Sequence, residues 1–261
     1  MSDWTRDLYR ELDQWNFDGV AATFWWRDDD AHAPSEELAK LVGLSARYRA
    51  PLSLAVIPAK LDASLARELP SEKSVGKSHA EISVLQHGYA HTNHAPPDEK
   101  KCEFGAARDA AEVRRELSDG NRVLRDAFGA RFVPAFAPPW NRIAPKWLEF
   151  LRPAGLCGLT TFGARTARQA APEIAAANTH ADIIDWKNGK RFLGAARATA
   201  DLCAHLAARR NGDVDPAEPS GLLTHHLAHD ADSWAFLADF LGALDEHPAV
   251  KWLPARAVFQ V

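Results

Sequence analysis

The chain has 261 residues, 46% of them hydrophobic, with 31 basic against 35 acidic side chains and a net charge of -4. That is enough apolar material for one core of barrel size, and too even a charge balance for a nucleic-acid groove or a basic membrane face, so a neutral or cationic small substrate suits it better. No apolar run is long enough to span a bilayer and the first residues lack a signal-peptide apolar stretch, which makes a cytoplasmic protein without membrane insertion the expectation. Cys102, Cys157 and Cys203 are odd in number, far apart and without CxxC spacing, and read as reduced thiols.

Short apolar runs alternate with segments of helical period, the pattern of parallel βαβ units. The first run, residues 20–26, ends abruptly in Arg27 and three acids, Asp28, Asp29 and Asp30. Ser35 is placed to cap a helix reaching toward Tyr48, with Glu36 and Glu37 in its first turn. Strands are expected at 52–57 and 82–86, the second delivering His87-Gly88-Tyr89-Ala90-His91. Residues 95–105, with two prolines and a charge cluster, read as a surface loop. The longest helix should cover 108–128, where Ala110, Val113, Leu117, Leu124 and Phe128 share a face. Further strands are expected at 132–137, 156–161, 175–182 and 221–224, with a weaker one at 250–253. A last helix at 233–246 should turn Trp234, Leu237, Phe240, Leu241 and Leu244 inward. Seven or eight parallel strands imply an α/β barrel, as one domain over residues 1–261.

The polar residues fall at strand ends. Asp29 and Asp30, His87 and His91, Pro138 to Arg142, Asp182 and Asp185, and His225 all lie at or just past the C-terminal ends of these strands, which in a parallel barrel share the face where active sites are built. Each group alone has an ordinary reading as a turn, a cap or a solvated surface; five together point to a site. Two imidazoles four residues apart can close on one metal ion, and the acids after the first strand supply a carboxylate.

At this point the chain resembles the polysaccharide deacetylases, the NodB-homology carbohydrate esterases, over roughly residues 20–255. The resemblance rests on five motifs in order: Arg27-Asp28-Asp29-Asp30-Ala31, His87-Gly88-Tyr89-Ala90-His91, Ala137-Pro138-Pro139-Trp140, Asp182-Ile183-Ile184-Asp185-Trp186 and Leu222-Leu223-Thr224-His225. It implies a distorted (β/α) barrel, an Asp-His-His metal centre and hydrolytic removal of an acyl group, acetyl or formyl, from an amine. Asp30, His87 and His91 would be the ligands of one divalent ion, zinc first among zinc, cobalt, nickel, manganese and iron. Such an ion polarises a carbonyl and makes water nucleophilic at neutral pH. Asp29 would be the base and His225 the acid for the departing amine, with Asp185 or Asp182 as its partner. Trp140, Pro139, Trp186 and Tyr89 would line the pocket for an acylated amino sugar or small amide.

The chain also departs from the family. The three acids leave the register open, so Asp28 and Asp29 could exchange roles. The Arg that begins the family's third motif and orients the base is Ala137 here, leaving Arg142 or Arg27 to replace it. Two rival readings follow: a non-catalytic or weakly active carbohydrate-binding barrel, and a two-metal hydrolase such as a phosphoesterase, with a second centre at His225, His226, His229 and Asp230.

Overall fold

In a computed structural model the chain is described over residues 2–70 and 80–260. In chain order the elements are α1 (Asp3–Phe17), β1 (Ala22–Ala31), α2 (Glu36–Arg47), β2 (Leu52–Val56), α3 (Ala63–Glu68), β3 (Ile82–His87), α4 (Ala110–Phe128), β4 (Phe132–Ala137), α5 (Leu148–Leu151) and β5 (Gly158–Leu159). They continue with β6 (Gln169–Ala171), β7 (Ile174–Ala176), β8 (Ala181–Asp182), β9 (Ile184–Asp185), β10 (Arg191–Phe192), α6 (Ala195–Asn211), β11 (Ser220–Thr224), α7 (Ala231–Glu246), β12 (Val250–Trp252) and α8 (Ala255–Phe259).

The main sheet runs β6-β7-β5-β4-β3-β2-β1-β11-β8, parallel throughout except for the antiparallel β6–β7 pair, with β12 beside the start of β1. Its path looks open, but β7 and β8 belong to one segment of chain. Residues 174–182 pair with β5 at their beginning and with β11 at their end, and between them Ala177 N–H donates to Leu159 C=O and Thr179 N–H to Thr161 C=O. That segment brings the two edges together, giving the distorted α/β barrel; the run expected at 175–182 is real, split because it changes partner.

Side chains alternate across the strands, and the alternation sorts two cores. Phe24, Trp26, Leu54, Val56 and Val84 pack outward beneath the helices, with Leu237 and Leu241 of α7. Trp25, Ala55, Leu85, Val133, Ala135 and Ala177 point into the lumen, where α8 plugs the N-terminal end and Phe259 meets Trp25 edge to face at 5.8 Å. Small residues make the room: a Cβ on Gly158 would strike Ala135 and the Phe259 ring, and one on Gly221 the Trp25 indole.

Asp109 caps α4, accepting from Ala111 and Glu112 N–H, so this helix opens at Ala110, and Ala110 itself is exposed. Ser35 caps α2 as its spacing implies. Beneath the barrel lies a buried polar group the sequence did not announce. His180 and His205 stack at 3.3 Å, with Nε2 atoms 3.6 and 3.8 Å from Glu218, whose carboxylate also accepts from Arg165 and Asn178 N–H. The three side chains come within ligand distance of one another, but the placement of the ring protons does not suit a cation. Gly221 N–H donates to His180 Nδ1, which puts the ring proton on Nε2 and leaves no lone pair there for a cation. Rings stacked face to face cannot both aim in-plane lone pairs at one point.

Burial holds both imidazoles below their ordinary range, His180 at about 4. A depressed imidazole stabilises the fold above pH 6.5 and loses that contribution as pH falls toward 4, because the unfolded chain then binds more protons; for His180 the swing is roughly 3 kcal/mol. Urea unfolding from pH 7 to pH 4.5 should therefore show a smaller acid loss for H180Q/H205Q than for the wild type. Parallel losses would mean that this pair does not titrate on unfolding.

Candidate functional site

The strand alternation settles the three acids. Trp25 faces the lumen, so Arg27 and Asp29 do too, while Asp28 faces the other way. Asp28 is fully buried and accepts from the Thr224 hydroxyl, His226 N–H and His226 Nδ1, which ties β1 to the chain just past β11. Burial pushes its carboxyl up, yet His226 and Thr224 hold it below the ordinary range. This carboxylate is structural, and His226 is committed to it.

At Asp30 the strand breaks. Its φ is 73°, and the β1–β2 register shifts between Asp28 and Ala31, which swings the next carboxylate toward β3. There Asp30 Oδ1 lies 3.2 Å from His87 Nε2 and 3.1 Å from His91 Nε2. His87 ends β3 on the lumen side of its alternation, and its Nδ1 lies 2.9 Å from Ala137 C=O. A carbonyl only accepts, so Nδ1 carries the proton and Nε2 presents a lone pair to a carboxylate oxygen. Two lone pairs at 3.2 Å repel unless a proton or a cation lies between them, so this donor set fits a divalent ion. Burial pushes Asp30 up while the two imidazoles hold it far below the carboxylate range; His87 is raised, its carboxylate neighbours outweighing burial.

His91 reaches this point through a tight turn in which both Gly88 and His91 have positive φ, 57° and 55°. The turn is built on Glu103, which is 1% exposed and accepts from Tyr89, Ala90 and Thr92 N–H. A side chain on Gly88 would collide with Glu103 and Pro139. Residues 95–105 are therefore more than a surface loop, since Glu103 and Phe104 are fully buried within them.

Asp29 is held by Arg27. The guanidinium, 0% exposed, meets both carboxylate oxygens, with Nη2 donating to Oδ2 at 3.0 Å and Nε 2.8 Å from Oδ1. It is anchored in turn on Thr160 Oγ1 at 2.7 Å and Asn141 Oδ1 at 2.6 Å. Arg142 does not partner Asp29: its guanidinium donates to Lys101 C=O, because the chain has turned away before it. His225 lies beyond Asp29, its Nε2 3.8 Å from Asp29 Oδ2 and its Nδ1 3.9 Å from Asp182 Oδ1. Asp185 does not approach His225. It closes the hairpin of β9 and β10, accepting from Lys187 and Asn188 N–H, and Asp182 takes the place beside the histidine. Trp186 donates to Asp182 Oδ2 at 2.8 Å and packs edge-on against His225. Burial raises the Asp182 carboxyl.

Trp140 lays its ring 4.5 Å from that of His91, Pro139 is buried beneath Gly88, and Tyr89 turns into the core around Phe104 rather than toward the cleft. The cleft itself, about 460 Å³, is lined by Asp30, Trp186, Lys190, His225, Leu227, Ala228, His229 and Asp230. Asp30, His91, Trp140 and Asn141 are four of the eight non-glycine residues with positive φ among the described residues. Strain of about 1–3 kcal/mol each persists only where surrounding structure over-determines it.

No protein-family model matches the chain, and no curated protein does. Solved structures do. A protein from Mycobacterium smegmatis assigned to the polysaccharide deacetylases aligns with a TM-score of 0.61 at 15% identity, over 93% of this chain and 90% of that one. The Bc1960 peptidoglycan N-acetylglucosamine deacetylase aligns at 0.53 and 14% identity, over 96% and 97%. The BA3943 pseudoenzyme of carbohydrate esterase family 4 aligns at 0.53 and 14% identity, over 92% of this chain and 67% of that one. The fold is thus the NodB-type barrel of the family 4 deacetylases, reached by a sequence far from each of them.

Arg27→Ala should destabilise the protein by about 3–5 kcal/mol in chemical denaturation, because it strands a buried carboxylate. Arg142→Ala should change stability by no more than about 0.5 kcal/mol. Equal effects would show that the buried pair is not what holds this end of β1.

Proposed function

We propose that the chain is a metal-dependent hydrolase that removes an acetyl or formyl group from the nitrogen of an acylated amino sugar or a related small amide. The observation that carries this is the convergence, at one mouth, of an Asp-His-His donor set, a second carboxylate clamped by a buried arginine, and a histidine beyond it. Asp30, His87 and His91 would hold the ion, zinc first. A divalent ion there supplies Lewis acidity to an acyl oxygen and acidifies water.

The chain's own residues divide the remaining work. Asp29, its orientation fixed by Arg27, accepts the proton of the attacking water. His225 gives a proton to the departing nitrogen, with Asp182 alongside to steady the ring. Both contacts of His225 are slightly longer than a hydrogen bond, as is common before substrate draws such groups together. Trp186 and Leu227, 42% and 50% exposed, give the cleft apolar walls that suit the face of a sugar ring. Among the described residues no helix is long and apolar enough to cross a membrane. The rival centre at His225 to Asp230 draws no support, since His226 is occupied by Asp28 and His225 turns toward Asp29 and Asp182.

Elemental analysis should find one divalent ion per chain, lost in His91→Ala. Full occupancy in that variant would move the centre elsewhere. Acyl release from a panel of N-acetylated and N-formylated compounds separates catalysis from the non-catalytic reading that the pseudoenzyme relative raises.

Asp29→Asn should keep its metal and lose about 10²–10⁴ in turnover, the usual worth of a positioned base. His225→Ala should chiefly slow substrates with poor amine leaving groups, since a good leaving group departs without the proton. Equal losses on activated and unactivated amides would remove His225 from the acid role.

A further inference from the structure

Arg27 has more partners than Asp29 alone. One guanidinium spans three elements: Nη2 is shared between Asp29 and Asn141 Oδ1, and Nη1 goes to Thr160 just past β5. Asn141 follows Trp140 in a turn where both residues are left-handed, with φ of 57° and 56°. Asparagine tolerates this conformation and an indole-bearing residue does so poorly. The turn is closed by Asn141 N–H to Pro138 C=O at 2.9 Å and by a longer bond from Arg142 N–H to Pro139 C=O. Its side-chain tie across the lumen to β1 is the 2.6 Å contact from Arg27 to Asn141. The same turn lays Trp140 against His91.

We propose that Asn141 is a positioning residue: through Arg27 it fixes the direction of Asp29, and through the strained turn it keeps Trp140 on His91, so that the base and the metal-side wall are set by one amide. The physical reasoning is that a planar guanidinium has a unique orientation only when its donors are spoken for in more than one direction. Without the Asn141 oxygen, Nη2 keeps only Asp29, and Thr160 on Nη1 is left as the single anchor about which arginine and base can tilt together. The turn then loses the contact that offsets its backbone strain. This inference rests on the proposed function.

The experiment compares N141G and N141D in the cobalt-loaded full chain, with N-acetylglucosamine and 4-nitroacetanilide as probes. Glycine keeps the left-handed backbone and removes the oxygen; aspartate keeps both the oxygen and the tolerance. N141G should lose about tenfold in kcat with KM within about twofold, N141D should stay within about threefold of the wild type, and both should bind one cobalt per chain. Wild-type kcat in N141G, or an N141D loss as large as that of N141G, overturns the assignment. If the wild type binds cobalt but hydrolyses neither probe, the visible cobalt spectrum decides: a shift in N141G that N141D reverses supports the role, and identical spectra overturn it. A wild type that neither binds cobalt nor hydrolyses either probe overturns the proposed function and this inference with it.

Discussion

A guanidinium placed inside a barrel must be matched there, and much of this site follows from that requirement. Arg27 points into the lumen because it lies two residues beyond Trp25, on the face that β1 turns inward. Fully desolvated, it would be ruinous unpaired. Its compensation comes from Asp29 on its own strand, Thr160 past β5 and Asn141 past β4, so one charge draws three sheet neighbourhoods into fixed relation. The family resemblance places an arginine for this task at the position of Ala137. Here Ala137 contributes only its carbonyl, which orients His87. The guanidinium beside Asp29 comes instead from Arg27, on the same strand.

The same strand separates three chemically identical side chains by geometry. Asp28 faces outward and meets Thr224 and His226; Asp29 faces inward and meets Arg27; Asp30 falls where the strand bulges and meets His87 and His91. Each carboxylate is thereby denied the partners of the next. In the low dielectric of a barrel end, three unsegregated acids would repel one another and raise each other's proton affinity. Alternation and the one extra residue of the bulge prevent this.

Much of this arrangement was legible before any coordinates. The main strand positions along the chain, the capped helix after Ser35, the inward face of α7 and the convergence of strand-end groups follow from hydrophobic period and from what a parallel barrel does with its C-terminal ends. The facing of Asp28 and Asp29 was legible as well, by counting in twos from Trp25, whereas the bulge that turns Asp30 toward β3 left no mark in the alternation. Other features had no local signal. Glu103 stands in a charge-rich stretch that looks solvated, and only the backbone N–H groups of the His91 turn explain its burial. Helix α6 lacks a clean apolar stripe because Thr199, His205 and Arg209 occupy its buried face, with His205 and Arg209 both reaching Ser220 of β11. Asp182 and Asp185 are equivalent in sequence. The hairpin of β9 and β10 consumes Asp185 in its turn, and pairing of β8 with β11 leaves Asp182 beside His225.

The two histidine clusters show why residue type and proximity do not suffice to name a metal site. Each gathers two imidazoles and a carboxylate within similar distances. In the mouth, the outer nitrogen of His87 donates to a carbonyl, so in the neutral ring the inner one offers its lone pair toward Asp30. Under the barrel, the outer nitrogen of His180 accepts from Gly221 N–H, so the inner one carries a proton toward Glu218. A single backbone group, a C=O in one case and an N–H in the other, inverts the chemistry presented by the same side chain. Which ring nitrogen can offer a lone pair is thus decided, in each cluster, on the far side of the imidazole from the carboxylate, by the backbone group to which the ring is tied.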